Sequence, residues 1–291
     1  MAKKNKSRKK KTNLNVLIVA KQNKLGIKMA KKLEKMLSEY SDDIHFDHAT
    51  ALKLRKRGIS IRKFTGDFII TVGGDGTLLW TASKADVPIL PVKIEGHGFL
   101  CTATFKDVMD NFDKIVRKDF KITERMRLQC SKIKKGKIEK YIDKFLRSEY
   151  PPALNEITFG RKRPSKILDV EFKIEDVVFD CVGDGLILST QAGSTAYSSS
   201  AGGPIVDPRM NTITIIPLYP FFSKLKPIIV PAEKKIEVEI KGGDCALIID
   251  GHGGEYVKAG MRFMIERGKP IKIINIAEQN FYEKLKKDLM S

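Results

Sequence analysis

A glycine cluster between two apolar runs constrains the fold more than any other part of the sequence. Residues 68–80 read FIITVGGDGTLLW, so a β-branched run ends in three glycines around one carboxylate and a helix-favouring run follows. This order predicts a strand, a tight turn and a helix. Glycines there allow positive φ and let backbone N–H groups approach a phosphate, to which the helix adds its positive N-terminal end.

The carboxylate of Asp75 makes this phosphate cradle unusual. It repels a phosphate unless it binds a metal ion, accepts a proton from a reacting hydroxyl or caps the helix. An ordinary turn with Asp75 or Thr77 as the N-cap explains the same residues equally well. This stretch alone leaves both interpretations open.

The Gly-Gly-Asp-Gly-Thr sequence resembles a signature shared by NAD kinases, diacylglycerol and sphingosine kinases, and phosphofructokinases. That resemblance implies phosphoryl transfer to a hydroxyl group. It places Gly73, Gly74, Gly76 and Thr77 in the loop that binds the phosphate donor. A lipid kinase of the diacylglycerol type therefore remains an alternative at this point.

The first 120 residues alternate between strand and helix patterns. Strands are predicted at 14–20, 67–72 and 87–94, and helices at 27–40, 77–85 and 105–116. Such alternation implies a parallel sheet that binds ligands at the carboxyl ends of its strands. The glycine cluster lies at one of these ends.

From about residue 121 the pattern changes to short strands separated by turns. They are predicted at 126–134, 156–159, 167–174, 177–182, 186–190, 212–217, 236–240, 246–250 and 262–265. Helical spacing is rare among them, so this half is expected to be mainly antiparallel β structure. Residues 137–149 are ambiguous, and 280–290 are predicted to form a terminal helix.

A second motif decides among the related kinases. Residues 183–204 read GDGLILSTQAGSTAYSSSAGGP, and Asn155-Glu156 precede them. The Asp-Gly-Leu-Ile, Gly-Ser-Thr-Ala-Tyr and Ala-Gly-Gly-Pro pieces are similar to the NAD kinase pattern almost residue for residue. Lipid kinases and phosphofructokinases share the first motif but not this set.

The resemblance implies an ATP-NAD kinase with a Rossmann-like α/β domain, a β-sandwich domain and an active site between them in a homodimer or homotetramer. The expected division is a basic tail at 1–13, the α/β domain at 14–120, the β-sandwich domain at 121–275 and a C-terminal helix at 276–291 that packs back on the body. ATP or polyphosphate is the expected donor, with Mg²⁺ bound to it and no metal held by protein side chains alone.

Site residues follow from the same matches. Asp75 is the implied base that acts on the 2′-hydroxyl of the adenosine ribose. The NAD site is implied to contain Asp75, Gly76, Phe99, Asn155, Glu156, Lys166, Asp184, Thr195, Ala196, Tyr197, Ser200, Tyr219 and His252. Without the resemblance, Phe99 can be interpreted as a core anchor in a plain loop, and a strand-entry turn is the favoured interpretation of Asn155-Glu156.

The sequence departs from the family pattern in three places. His252 follows Asp250-Gly251 where many members have Gln, and Gln191-Ala192 replaces the usual Pro-Thr. Residues 221–223, Phe-Phe-Ser, stand where His-Ser or His-Thr is common. These changes affect the expected ligand contacts in detail and leave the resemblance itself intact.

The net charge of +19 suggests another class, a nucleic-acid-binding module. Seven lysines and arginines fall within the first eleven residues, which predicts a solvated basic tail. No recognition motif and no basic stripe interleaved with aromatic residues is found, so a specific nucleic-acid partner is not expected.

The remaining composition fits a globular cytoplasmic protein. The chain has 291 residues, 42% of them hydrophobic, which is enough for two cores. No apolar run reaches the roughly 18 residues of a membrane span, and the N-terminus lacks a signal-peptide core. Cys101, Cys130, Cys181 and Cys245 are far apart in sequence, as expected for reduced, buried thiols.

Overall fold

The computed structural model describes residues 12–96, 98–133, 148–221, 224–278 and 280–289. Nearly all of the predicted tail, His97, most of the ambiguous 137–149 segment, and Phe222 and Ser223 lie outside these ranges. The chain forms two compact units. Unit 1 contains residues 1–124 and 271–291, and unit 2 contains residues 125–270.

Seventeen strands and seven helices are found in the described part of the chain. The strands are β1 Val16–Ala20, β2 Ile44–Phe46, β3 Phe68–Gly73, β4 Ile89–Lys93, β5 Ala103–Thr104, β6 Lys121–Ile133, β7 Ser148–Glu149, β8 Glu156–Arg161, β9 Leu168–Ile174, β10 Val177–Gly183, β11 Gly185–Thr190, β12 Thr212–Leu218, β13 Ile228–Pro231, β14 Ile236–Gly242, β15 Cys245–Ile249, β16 His252–Val257 and β17 Arg262–Asn275. The helices are α1 Lys24–Leu37, α2 His48–Leu54, α3 Asp75–Ala82, α4 Phe105–Asp110, α5 Phe112–Arg117, α6 Tyr197–Ser200 and α7 Phe281–Leu289.

Unit 1 is built on a parallel sheet with the strand order β17, β4, β3, β1, β2. Strands β1 and β3 are buried along their whole length, as expected for strands covered on both faces. Only the last part of β17 belongs here, where Ile273 pairs with Ile89. The carboxyl ends of β1, β3 and β4 lie at one edge of this sheet.

Two helices of unit 1 differ from the sequence prediction. Helix α1 begins three residues early because the Asn23 side chain accepts a 2.8 Å hydrogen bond from the Gly26 N–H and caps it. The predicted helix 105–116 is two helices, because Asn111 leaves helical geometry at φ −113° and ψ 23°. The spacing of apolar residues predicts neither a polar cap nor a break at a single residue within a helix.

Unit 2 consists of two antiparallel sheets that share one core. One has the order β10, β9, β14, β17, and the other has the order β13, β12, β11, β8, β15, β16. Alternate residues of both sheets, such as Phe159 of β8 and Phe172 of β9, form the buried cluster. Unit 2 is therefore a β-sandwich.

The predicted fold class, an α/β part with a parallel sheet followed by a β-sandwich, is confirmed. The four cysteines are buried and free. No helix in the described ranges combines the length and apolar character needed to cross a membrane.

Candidate active site

The glycine turn follows β3 at the carboxyl edge of the unit 1 sheet. A Cβ on Gly73 would lie 2.2 Å from Thr77 Oγ1, so packing requires glycine there. A Cβ on Gly74 or Gly76 would meet nothing within 4 Å. None of the three has a positive φ, so this turn does not use the left-handed backbone conformation that glycine allows. Gly74 and Gly76 instead leave open space beside the backbone.

The Asp75 carboxylate is held by a loop that is distant in sequence. It accepts hydrogen bonds from the backbone N–H of Phe99 at 2.7 Å, of Leu100 at 3.1 Å to each oxygen, and of Cys101 at 3.1 Å. Two carboxylate oxygens offer about four lone-pair positions. The loop 98–101 therefore occupies the acceptor capacity of Asp75. Neither Asp75 nor Thr77 is the N-cap of α3, because Gly74 takes that position.

The same loop is held on its other side by helix α7. Lys284 Nζ donates hydrogen bonds to the carbonyl oxygens of Phe99 at 2.7 Å and Cys101 at 3.1 Å. The Phe99 ring packs edge-on against Phe281, with centroids 5.5 Å apart. Burial, followed by the Asp75 charge, raises the pKa of the Cys101 thiol well above its usual range. Cys101 is therefore a neutral neighbour of Asp75.

A basic residue that the sequence analysis missed lies beside the glycine turn. Lys21 follows β1, and its backbone N–H donates to Val72 O at 2.8 Å. Its Nζ forms a 2.8 Å ion pair with Glu95, which also accepts from Asn23 Nδ2 at 2.7 Å. The signal in the sequence was a lysine placed directly after the first strand. Because the pair is half exposed, it adds little to stability.

In unit 2, Asn155 and Glu156 lie where the chain enters β8. The Asp250 carboxylate accepts hydrogen bonds from the backbone N–H groups of Leu154 at 2.8 Å, Asn155 at 2.7 Å and Glu156 at 3.1 Å. Asp250 was not among the predicted site residues, although it stands two positions before His252. It holds the backbone of this turn in place.

Three buried acceptor oxygens near this turn have no hydrogen-bond partner within the described part of the protein. They are Asn155 Oδ1, Glu156 Oε2 and Gln191 Oε1. A buried polar group without a partner costs about 1–3 kcal/mol. Burial, and then the Asp250 charge, raises the pKa of Glu156 to about 7. Burial also raises the pKa of Asp250, which its three N–H donors and the charge of His252 oppose. A ligand with N–H and O–H groups fits these acceptors.

The serine- and glycine-rich segment packs against the same turn. The Thr190 N–H donates to Asn155 O at 2.8 Å, and Thr190 Oγ1 donates to Leu154 O at 2.6 Å. A Cβ on Gly193 would lie 2.3 Å from Asn155 O, so this contact requires glycine. The next predicted residues are partly or well exposed to solvent: Thr195, Ala196, Tyr197 and Ser200.

The other predicted residues of unit 2 fall into two places. His252 begins β16 next to Asp250 and is exposed. Asp184 directly precedes β11, at the opposite end of this strand from Thr190, and six residues at about 3.4 Å each place it roughly 20 Å from Thr190. It forms a 2.9 Å ion pair with Arg161.

Two further predicted residues belong to the Asp184 end of β11. Tyr219 lies beside Gly183, since a Cβ on Gly183 would be 2.7 Å from Tyr219 O. Tyr219 is 75% exposed and has a φ of 42°. Lys166 is exposed in the turn between β8 and β9, beyond Arg161. The structure therefore separates Lys166, Asp184 and Tyr219 from Asn155 and Glu156.

Among the described residues, the side chains that could ligate a metal ion do not cluster. Across the described ranges, no group of three or more His, Cys, Asp or Glu side chains is arranged to hold one. Two carboxylates, Glu156 and Asp250, lie at the turn that contains Asn155. Asp250 already accepts hydrogen bonds from three backbone N–H groups of this turn.

Fold and site together define a two-domain kinase of the Gly-Gly-Asp-Gly-Thr type. Family models agree: the ATP-NAD kinase N-terminal domain matches residues 1–120, and the ATP-NAD kinase C-terminal domain matches residues 154–275. The chain belongs to the NAD kinase family. The resemblance found in the sequence is confirmed.

Known proteins of this family resemble the chain over most of its length. The NAD kinase of Methanothermobacter thermautotrophicus is 32% identical over 244 residues, which cover 82% of this chain and 81% of that protein. The Archaeoglobus fulgidus NAD kinase in complex with ATP has a TM-score of 0.73 at 26% identity, covering 95% of this chain and 99% of its own. Yeast NADH kinase complexed with NADH has a TM-score of 0.83 at 20% identity, covering 95% and 87%, and shares the fold.

Proposed function

We propose that the chain transfers the γ-phosphoryl group of ATP to the 2′-hydroxyl of the adenosine ribose of NAD and so makes NADP. The observation that carries this proposal is the Asp75 carboxylate between Gly74 and Gly76, whose α-carbons face open space at the carboxyl edge of a parallel sheet. Relatives named as NAD kinases, and a related NAD kinase in complex with ATP, support the choice of substrates.

Asp75 is the proposed base. The 2′-oxygen forms a bond to the γ-phosphorus, the bond from that phosphorus to the ADP oxygen breaks, and the hydroxyl proton passes to Asp75. The lone pairs of Asp75 are engaged by Phe99, Leu100 and Cys101. At least one of these N–H···O bonds must therefore be given up before the carboxylate accepts the proton.

The donor loop is proposed to consist of Gly73, Gly74, Gly76 and Thr77. Its backbone and the N-terminal end of α3 would face the ATP phosphates. Mg²⁺ would enter as the ATP complex, held by phosphate oxygens. The ion would neutralise charge on the transferred group.

The NAD site is proposed to centre on Asn155 and Glu156. The Asn155 carboxamide would pair with an adenine edge, and Glu156 would accept from ribose hydroxyls. Each has a buried oxygen for which the described residues supply no partner, and this supports the assignment. The other proposed contacts are Asp75, Gly76, Phe99, Lys166, Asp184, Thr195, Ala196, Tyr197, Ser200, Tyr219 and His252.

The protein is further proposed to act as a homodimer or homotetramer in the cytoplasm. Lys166, Asp184 and Tyr219 lie at the far end of β11 from Asn155 and Glu156. A second copy of the chain is a simple source of these three residues for one NAD site. Sedimentation of the purified protein, with and without NAD, tests the oligomer.

One assay tests the proposed activity. Purified protein is incubated with Mg²⁺, NAD and either ATP or polyphosphate, and NADP is detected with an NADP-specific dehydrogenase. NADP formation that depends on NAD and one of these donors is expected. Equal phosphorylation of adenosine, AMP and NAD would contradict the assignment of NAD as the acceptor.

A further inference from the structure

We infer that Lys284 of helix α7 is a positioning residue for Asp75, acting through the backbone of the loop 98–101. The inference rests on the proposed role of Asp75 as the base. Lys284 reaches the loop from helix α7, and both of its hydrogen bonds to Phe99 and Cys101 go to backbone carbonyl groups. The same two residues bind Asp75 through their N–H groups.

The loop lies between a cation and an anion. Its N–H groups at Phe99, Leu100 and Cys101 point to the Asp75 carboxylate, and two of its carbonyl groups point to the Lys284 ammonium. Each charge favours the same orientation of the peptide dipoles. The carbonyl of Phe99 and the N–H of Leu100 belong to one peptide group, so the ammonium polarises this group and strengthens its N–H donor to the ionised carboxylate, while its two carbonyl contacts hold the rest of the loop in place.

A second contact from the same helix fixes the position of the loop. Phe281 stands one helical turn before Lys284, and its ring packs edge-on against Phe99. Lys284 Nζ also lies 5.1 Å from the centre of the Phe99 ring. Gly98 completes the fit, since a Cβ there would be 3.0 Å from Asp75 Oδ1. Helix α7 thus sets how closely the loop approaches Asp75.

The charged groups around the loop give the effect of Lys284 a definite sign. Cys101 is neutral because burial raises its pKa, and the cations that act on it are Lys284 of α7 and Lys93 of β4. Removing the Lys284 ammonium withdraws a positive charge and loosens the N–H donors. Both changes disfavour the ionised Asp75, so the acidic limb of the pH–rate profile moves to higher pH.

The test compares Lys284→Met with Lys284→Arg, which keeps the charge and the donors. Lys287→Met on the same helix is the control, because Lys287 is exposed and the charge change is equal. For Lys284→Met, we expect the acidic limb of kcat/KM to move up by about 0.5–1 pH unit. The amide protons of residues 99–101 should exchange roughly tenfold faster. Lys284→Arg and Lys287→Met should match the wild type in both measurements.

Several outcomes overturn the inference. One is a Lys284→Met enzyme in which the acidic limb of kcat/KM does not move and the amide protons of residues 99–101 exchange at the wild-type rate. Another is a loss of rate that is equal at every pH and accompanies a lower Tm, which indicates a structural role only. If Lys284→Met does not fold, Phe281→Leu is judged by the same two measurements. If the wild type makes no NADP, the proposed function fails, while the exchange of residues 99–101 still tests whether Lys284 positions the loop.

Discussion

The Asp250 carboxylate accepts a 2.7 Å hydrogen bond from the backbone N–H of Asn155, a residue 95 positions earlier in the chain. Asp75 in unit 1 binds the N–H of Phe99 at the same distance. In each unit, a buried or half-buried carboxylate holds three consecutive backbone N–H groups of a turn. This arrangement positions the turn through its backbone and does not use the side chains of the turn residues.

Replacing Asp75 with Asn tests its proposed role as the base. The change removes basicity and keeps the size, so kcat is expected to fall by roughly 10²–10⁴. The new carboxamide would also turn an N–H₂ group toward the N–H donors of the loop, which lowers stability by about 1–3 kcal/mol. Kinetics and a melting curve measure both effects. Asp110→Asn, an exposed site in unit 1, is the control, and near-wild-type turnover would remove Asp75 from the mechanism.

Replacing Asn155 with Ala separates ligand binding from folding. Asn155 Oδ1 has no hydrogen-bond partner among the described residues. Replacing Asn155 with Ala therefore breaks no hydrogen bond to this oxygen within that part of the chain, and Tm should change little. The KM for NAD should rise by about 5- to 150-fold, which corresponds to about 1–3 kcal/mol. Asn211→Ala, at an exposed position of unit 2, should change neither value. A lowered Tm with an unchanged KM would show that Asn155 is structural.

Glu156 is expected to make the stability of the ligand-free protein depend on pH. Its pKa is about 7 in the folded protein, against an ordinary value of 4.5, so between these values only the folded carboxyl holds its proton. The free energy of unfolding therefore falls as pH rises from about 4.5 to 7, and the loss is complete above that range. Glu156→Gln stays neutral at every pH.

The measurement is the difference in the free energy of unfolding between Glu156→Gln and the wild type. It should be small at pH 5 and should favour Glu156→Gln at pH 8 by on the order of 2 kcal/mol. Asp250 and His252, the neighbouring ionisable groups, are the same in both proteins. Glu124→Gln, at an exposed site, should show no such trend. A difference that is equal at pH 5 and pH 8 would contradict the burial of a charge at Glu156.

The two kinds of glycine in the turn should respond differently to alanine. In Gly73→Ala, the new Cβ would clash with Thr77 Oγ1, so Tm should fall. In Gly76→Ala, the new Cβ meets open space within a helix, where alanine is favoured by up to about 1 kcal/mol, so Tm should stay equal or rise. The KM for ATP should nevertheless rise roughly tenfold or more, because the methyl group occupies the approach to the backbone. An unchanged KM for ATP in Gly76→Ala would remove this turn from the donor site.

Much of the fold could be predicted because its signals are local. The apolar run before Gly73 is a strand and the residues after Gly74 form a helix, since β-branched residues and glycines act on their own backbone. Short alternating segments after residue 121 likewise became the strands of the sandwich. The family, too, followed from contiguous motifs at residues 73–77 and 183–204.

Contacts between distant residues were decided only by the tertiary structure. The bonds from Phe99 to Asp75, from Asn155 to Asp250 and from Lys284 to Phe99 span 24, 95 and 185 positions. No periodicity encodes them, because they depend on where the topology brings each loop. The raised pKa of Glu156 has the same origin, since burial by the folded chain causes it. The sequence alone predicted which residues carry the chemistry of a kinase, and folding determined which carboxylates hold a backbone turn and which buried oxygens have no partner among the described residues.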